Sequence, residues 1–429
     1  MHRTHLHSIT PYIEELAMLR AAYLLSHPIQ YQSPLLRRLA AQPSVDLTVL
    51  YASDFSLRSY NDEGFGVPVA WDVPLLDGYR AEFLPRLLDG PPIHFFRPLC
   101  HGIFSRLRRG NFDVLWLHGY ASLNSLQALL AARLLGIPVL LRTDSTLIDH
   151  PRGRVKLFVK NLFFRLLRPF IFGVLSVGAQ NTAYWRHYLG ANSRIYPMPY
   201  AVDNDFFAEQ AALAAPQREQ LRAALGLQPG RAVILFAAKL IARKRCIDLV
   251  EAYLLHTKNL PESARPYLLI VGDGEERAAI EARIAQAGAA QDIRLLGFRN
   301  QTELPPLYDL CDVFVLPSVH EPWGLAINEV MAAGRAVLVS DQVGCQPDLV
   351  TEGDNGRVVP AGDIPALAAA LHSLLRDPQI CRAMGERSRA RIAQFTFDHD
   401  ITGLLTAFAD AARWKQNRHA NSARMESHL

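Results

Sequence analysis

Residues 313–334 read VFVLPSVHEPWGLAINEVMAAG: an apolar run, a loop opened by Pro317, and a helical run from about Leu325. The run 313–316 (VFVL) has the length and uniform apolarity of a strand covered on both faces, which is the signature of a parallel sheet. A strand leading straight into a helix is one βα unit, and the same unit recurs on both sides. In the second half of the chain, strands are expected near 232–237 (AVILFA), 267–271 (YLLIV), 293–296 and 336–339 (AVLV), with helices at 245–258, 275–286 and 325–333. The first half gives strands at 21–26, 46–51, 113–117, 138–142 and 172–177, and helices at about 33–41, 122–135, 154–168 and 179–189. Alternation of this kind builds parallel sheets with right-handed crossovers, here twice over. The fold class is therefore α/β, two doubly wound parallel-sheet domains in tandem. Ligands bind at the carboxyl ends of such strands, so the site is expected in a cleft between the domains.

Composition sets the bounds. The 429 residues are 50% hydrophobic and 20% charged, enough for two or three cores and too apolar for disorder. Five scattered cysteines without a CxxC fit neither a zinc site nor a disulfide framework, and suit a reducing cytoplasmic setting. No basic-then-apolar leader opens the chain, and the most apolar window, 121–141, is broken by Arg133, Gly136 and Pro138, so a soluble protein is expected. Pro199, Pro216 and an Ala/Gln stretch place the junction within 198–217. The expected division is 18–203, then 204–397, then a helix at 398–416 returning to the first domain, with 1–17 and 417–429 as flexible ends. The net charge of +4 conceals an asymmetry: 91–170 holds twelve Lys or Arg against three Asp, leaving that segment +9 and the rest −5. Such a patch points to an anionic surface.

The residues with chemistry cluster after the expected strands. Glu321 lies in the loop after 313–316, and Glu329, separated from it by seven residues, lies about one turn into the following helix. The first-turn amides at Gly324, Leu325 and Ala326 are unpaired and sit at the positive end of the helix dipole, which favours an anion. A diphosphate there would have a carboxylate on each side. Lys239 and Lys244, beyond strand 232–237, are placed to point back at a phosphate. Gly272 and Gly274 permit a tight turn after 267–271, and Gly297-Phe298 can offer an aromatic edge to a base. In the first domain, the loop Ser26-His27-Pro28-Ile29-Gln30-Tyr31-Gln32-Ser33-Pro34 is stiff and polar. His27, Gln30 and Asp144 are the candidate acceptor or cleft residues there.

Together these features resemble the retaining family-4 glycosyltransferases with the GT-B fold, in which two Rossmann-like domains face across a cleft. The likeness rests on Glu321-x7-Glu329, Lys239 with Lys244, Gly272-Asp273-Gly274, Gly297-Phe298, Pro199-Tyr200-Ala201-Val202-Asp203, Gly344 and Gly356, over about residues 20–400. It implies transfer of a hexosyl or related sugar from a nucleotide-diphospho-sugar to a sugar or lipid-linked acceptor, in surface polysaccharide or glycolipid synthesis. Lys239 and Lys244 would hold the diphosphate, the 324–326 amides phosphate, Glu329 the ribose, and Glu321 the donor sugar. Gly272 and Phe298 would lie near the nucleoside, and His118, at the end of strand 113–117, would contact the donor sugar. No carboxylate stands out as a covalent nucleophile, so the resemblance implies front-face attack. Neither a metal ion nor a resident cofactor is expected. The sequence departs from the family's pattern at Lys239 (usually Arg), Arg245 (usually Gly) and the 26–34 loop (usually glycine-rich). A nucleotide-sugar epimerase and a non-catalytic nucleotide-sugar-binding protein stay open as alternatives. An NAD-dependent oxidoreductase fits poorly, because no GxGxxG follows a strand.

The basic segment has its own pattern. On a helix over 154–168, Val155, Phe158, Val159, Leu162, Phe163 and Leu166 share one face, and Arg154, Lys156, Lys160, Arg165 and Arg168 the other. Two accounts are open: a core-packed helix with a solvated basic side, or peripheral binding of 93–109 and 152–168 to anionic lipid at the inner face of the cytoplasmic membrane. Nucleic acid is not expected as a partner.

Overall fold

The computed structural model describes residues 18–148 and 153–426. The expected 1–17 extension, Arg152 and the last residues of the expected flexible tail lie outside the described residues. In chain order the strands are β1 Leu19–Leu25, β2 Val45–Tyr51, β3 Tyr60–Asp62, β4 Val67–Val69, β5 Arg80–Phe83, β6 Arg86–Leu88, β7 Leu99–Cys100, β8 Val114–His118, β9 Val139–Arg142, β10 Gly173–Ser176 and β11 Ile195–Pro197. The second half supplies β12 Val233–Ala237, β13 Tyr267–Val271, β14 Ile293–Gly297, β15 Val313–Leu316, β16 Ala336–Ser340 and β17 Gly356–Val359. Two parallel sheets result, in the orders β11-β10-β9-β8-β1-β2-β5 and β14-β13-β12-β15-β16-β17. Both are doubly wound, and each carries a buried apolar cluster on either face. That is why their strands read as unbroken apolar runs rather than alternating ones.

Local chemistry sets the helix boundaries. The Leu123–Leu135 helix starts where the Ser122 hydroxyl accepts from the Ser125 amide and stops at Gly136, in the left-handed region at φ 67°. Asp203 caps another helix by accepting from the Phe206 amide, and Asn204–Ala214 follows. The 198–217 junction is thus largely helical, not irregular: the Ala-rich stretch that reads as a linker is also a strong helix former.

Two further expectations are corrected. The closing helix spans Phe397–Glu426, beyond the expected 398–416, and takes in most of a tail expected to be flexible from 417. Its Phe397, Ile401, Leu404, Phe408 and Ala411 pack with Leu19, Tyr23 and Trp116 in the first domain's core. The Arg154–Leu167 helix buries Phe164 and Leu167, so of the two open accounts the one that packs the Val155, Phe158, Val159, Leu162, Phe163 and Leu166 face on the core does not hold. Val155 (76% exposed), Phe158 (68%), Val159 (58%), Leu162 (46%) and Leu166 (65%) look outward. Aromatic packing is the reason. The Phe164 ring lies 4.6–6.1 Å from those of Tyr120, Tyr184, Trp185 and Tyr188. Lys160 is held over Tyr184 and Tyr188.

Candidate active site

Each sheet changes winding direction once, between β1 and β8 in the first domain and between β12 and β15 in the second. At such a point the flanking connections leave to opposite faces and open a crevice at the carboxyl ends. The expected site residues lie there. Lys239 and Lys244 follow β12, Glu321 follows β15, Gln30 follows β1, and His118 ends β8.

The Glu321 loop is pinned from below. The Glu321 amide donates to the Gln342 carbonyl at 3.2 Å, and the Gly344 amide donates back to the Glu321 carbonyl at 2.8 Å. A Cβ at Gly344 would overlap the Pro322 carbonyl oxygen, so this position has room only for hydrogen. Gly324, at φ 100°, then turns the chain into the Leu325–Ala332 helix. Trp323 is buried and donates to Asn328 Oδ1 at 2.9 Å, and Asn328 donates to the Tyr200 carbonyl at 2.9 Å. The inter-domain segment is thereby tied to the site helix.

Both lysines are paired with carboxylates. Lys244 Nζ meets Glu321 Oε2, with only 12% and 11% of the two side chains exposed. Lys239 Nζ donates to Asp62 Oδ1 at 2.6 Å and lies 4.8 Å above the Phe65 ring centre. Asp62 comes from the other domain, on the β3–β4 hairpin, where the Gly64 and Phe65 amides fix its Oδ1 at 2.9 and 3.0 Å. This hairpin region crosses onto the second domain. Asn300 Nδ2 donates to the Ala70 carbonyl at 2.6 Å, the Thr302 amide donates to Asp72 at 3.2 Å, and Phe65 meets Phe298 edge-on at 4.8 Å. An anion arriving at Lys239 meets an ammonium that already donates to a carboxylate and has to share or displace it.

The cleft between the domains has two lobes. The larger, about 460 Å³, is lined by Lys239, Arg243, Lys244, Glu321 and residues 324–326 from one side, and by Gln30, Tyr31, Asp62 and Asp144 from the other. The smaller, about 190 Å³, is lined by Phe298, Arg299, Gln301 and Glu329, and the lobes share Gln30, Tyr31, Phe65, Trp71 and Leu325. Tyr308 donates to Glu329 Oε2 at 2.6 Å, while burial pushes the Glu329 carboxyl up to about 7. One lobe is cationic. The other is aromatic, with a carboxyl poised to accept or donate.

The structure brings together Lys239, Lys244, Glu321, Glu329, Gly324, Leu325, Ala326, Phe298, Gln30 and Asp144. It does not bring His118 or His27 to the walls of either lobe. The His118 Nδ1 lies 3.0 Å from the Tyr23 hydroxyl, and the residue lines a separate pocket of about 190 Å³ with Ser26, Ile93 and Arg97. Burial, aided by Arg142, pushes its imidazolium down to about 3, so it is neutral at physiological pH. His27 contacts the Ser26 hydroxyl at 2.8 Å, packs on Phe55, and is lowered to about 4 by burial. Gly272 also lies outside the lobes. Its φ is +132°, and a Cβ would strike the Ala238 carbonyl oxygen, so the turn serves close packing. Asp62, Phe65 and Trp71 escape the sequence reading because strands of three residues give no periodicity. The only signal is the Asp62-Glu63-Gly64-Phe65-Gly66 turn composition.

Among known proteins, residues 217–391 match the family model for glycosyl transferases group 1. The chain is 32% identical over 196 residues to a D-inositol 3-phosphate glycosyltransferase of Jonesia denitrificans, covering 45% of this chain and 46% of that protein. It is 29% identical over 318 residues to a 2-deoxystreptamine glucosyltransferase of Streptomyces kanamyceticus, covering 72% and 80%. The match to the first of these spans about half that relative's length. Among solved structures, Anabaena HepE in complex with UDP and glucose superposes with a TM-score of 0.68 at 17% identity, covering 91% of this chain and 100% of that one. Sucrose-phosphate synthase from Thermosynechococcus elongatus gives 0.64 at 19%, covering 94% and 100%. These two likenesses speak to the fold alone.

Proposed function

Starting from a chain whose residues 217–391 match the family model for glycosyl transferases group 1, we propose that it moves a sugar from a nucleoside diphosphate to an acceptor hydroxyl with retention at the anomeric carbon. The observation that carries this is one cleft where two lysines and a helix N-terminus meet beside a lobe holding an aromatic ring and a carboxyl. In this reading residues 18–203 receive the acceptor and 204–397 the donor. The diphosphate lies against Lys239, Lys244 and the 324–326 amides, and the nucleoside enters the smaller lobe, its base near Phe298 and its ribose on Glu329. Glu321 meets the sugar. As the glycosidic bond to phosphate lengthens, charge grows on the bridging oxygen while the sugar becomes oxocarbenium-like. Fixed cations aimed at that oxygen stabilise the transition state more than the ground state. The acceptor attacks from the face the diphosphate leaves, and a leaving-group oxygen takes its proton. The cations fill the charge-neutralising role, so turnover is expected to proceed without added metal. Relatives named for glycosyl transfer support sugar transfer, and a cationic lobe beside an aromatic one suits a nucleotide-sugar donor. The product belongs to surface polysaccharide or glycolipid synthesis, made by an enzyme bound peripherally at the inner membrane face.

The test is mass spectrometry of the full chain incubated with a panel of UDP-, GDP- and other nucleotide sugars plus lipid-linked and soluble acceptors, with and without EDTA. A sugar-mass adduct on an acceptor, insensitive to EDTA, is expected from at least one donor. Donor epimerisation with no adduct from any pair overturns the reading.

Glu329 gives a pH signature. Its carboxyl in the free protein sits near 7 because burial disfavours the charge. If it accepts from ribose hydroxyls, the bound form favours the carboxylate, so binding releases a proton below about 7. Affinity for the bare nucleoside diphosphate should rise with pH through that range and level off above it. Glu329→Gln should flatten this dependence. Calorimetry showing the same slope in the variant removes Glu329 from the nucleoside contact.

A further inference from the structure

We propose that the outward stripe of the Arg154–Leu167 helix, together with segment 93–96, is a docking surface for a bilayer containing anionic phospholipid. This deepens the reading above by naming the surface that carries the acceptor to the cleft. Val155, Phe158, Val159, Leu162 and Leu166 are 46–76% exposed, and Leu157 is 40% exposed. At 100° per residue this stripe points roughly 130° away from the face buried through Phe163, Phe164 and Leu167. The helix therefore has its core anchor on one side and an uncovered apolar ridge on another. Five exposed large apolar residues in three turns exceed the scattered single ones a soluble surface tolerates.

The occupant follows from charge. Arg154 and Arg165 border the ridge on one side and Lys156 on the other, all three exposed, and the helix contains no acid. A protein partner would need an acidic apolar groove shaped to this ridge. An anionic bilayer supplies headgroup charge at the edges and acyl chains at the crest without further shaping. Segment 93–96 lies at the same end of the domain. The Phe95 carbonyl accepts from the Leu123 amide at 2.8 Å, and Phe163 and Phe164 pack on Tyr120, so both elements border residues 119–123 at the carboxyl end of β8. Ile93, Phe95 and Phe96 are exposed there, and Ile93 also lines the apolar pocket beside His118. The lipid surface would thus lie beside the strand ends that face the cleft.

The experiment is co-sedimentation of the full chain with phosphatidylcholine vesicles, with or without phosphatidylglycerol, in the absence of any donor. Binding is expected only with phosphatidylglycerol and is expected to fall as salt rises. Phe158→Ser with Leu162→Ser should lower partitioning at least tenfold. Lys156→Glu with Arg165→Glu should lower it by roughly fivefold or more for each cation removed. All four sites are exposed, so thermal stability and nucleoside diphosphate affinity should stay at wild-type values. Three results overturn the proposal: no sedimentation, equal sedimentation with both vesicle types, or a lipid-independent dimer abolished by Phe158→Ser. Vesicle binding without transfer from any donor would reject the transferase reading and leave this surface standing. Transfer to a soluble acceptor without vesicle binding would do the reverse.

Discussion

Lys244→Ala is expected to lose sugar transfer by at least about a hundredfold and to unfold at a lower temperature, for two separable reasons. The first is stability. Lys244 and Glu321 face each other with about a tenth of each side chain exposed, so removing the cation strands a carboxylate in a mostly buried position. Breaking one side of a buried pair costs on the order of 3–5 kcal/mol. The second is function, the missing cation at the leaving diphosphate. The double variant Lys244→Ala, Glu321→Gln separates them. Stability should return to within about 1 kcal/mol of the parent, because neither partner is then left charged, while transfer stays lost. Glu321→Gln alone should lower kcat and leave affinity for the bare nucleoside diphosphate unchanged or tighter, since Lys244 is released from its partner. Thermal unfolding, calorimetry and single-turnover rates give the three readouts. Recovery of transfer in the double variant would mean that Lys244 acts only by restraining Glu321.

The parallel strands were legible because a strand covered on both faces has to be apolar throughout. Each expected strand from 21–26 to 336–339 falls within about two residues of an observed one. Residues 52–112 were not, since β3 to β7 are two to four residues long and partly exposed, with no period to read. That gap matters at the site. Asp62, Phe65 and Trp71 form much of the cleft's opposite wall, and the Asp62–Lys239 pair joins residues 177 apart. The second domain's half of the site was legible for a physical reason: phosphate-facing groups must follow strand ends and open helices, so Lys239, Lys244, Glu321 and Glu329 keep a local spacing. The first domain's half depends on which side chains turn inward. His118 lies at a strand end, as expected, but its ring is taken up by Tyr23 and Gln32 in a pocket of its own. The Arg154–Leu167 helix teaches the same lesson. Its apolar residues were countable, yet which of them meets the core was decided by Tyr120, Tyr184, Trp185 and Tyr188 on other elements.

Gly344→Ala is expected to be among the most damaging substitutions that adds only one methyl group. Gly344 has no unusual φ, so the cost arises from space rather than conformation. The new Cβ would overlap the Pro322 carbonyl oxygen and crowd the Glu321 carbonyl, both backbone atoms that cannot swing aside. The loop has to lift. Its hydrogen bond from the Gly344 amide to the Glu321 carbonyl, and the next from the Cys345 amide to the Trp323 carbonyl, would both lengthen. Trp323 in turn holds Asn328, and Asn328 holds Tyr200 of the inter-domain segment, so the disturbance reaches the joint between the domains. Overpacking of this sort costs roughly 1–3 kcal/mol and more against backbone. A shift of about 1 Å at Glu321 should by itself slow transfer on the order of a hundredfold. Gly153→Ala, where nothing lies within 4 Å of the added atom, is the control and should be neutral in both readouts. Near-parental melting and transfer in Gly344→Ala would show that the loop yields without consequence. Glu321 would then not need the position this structure gives it.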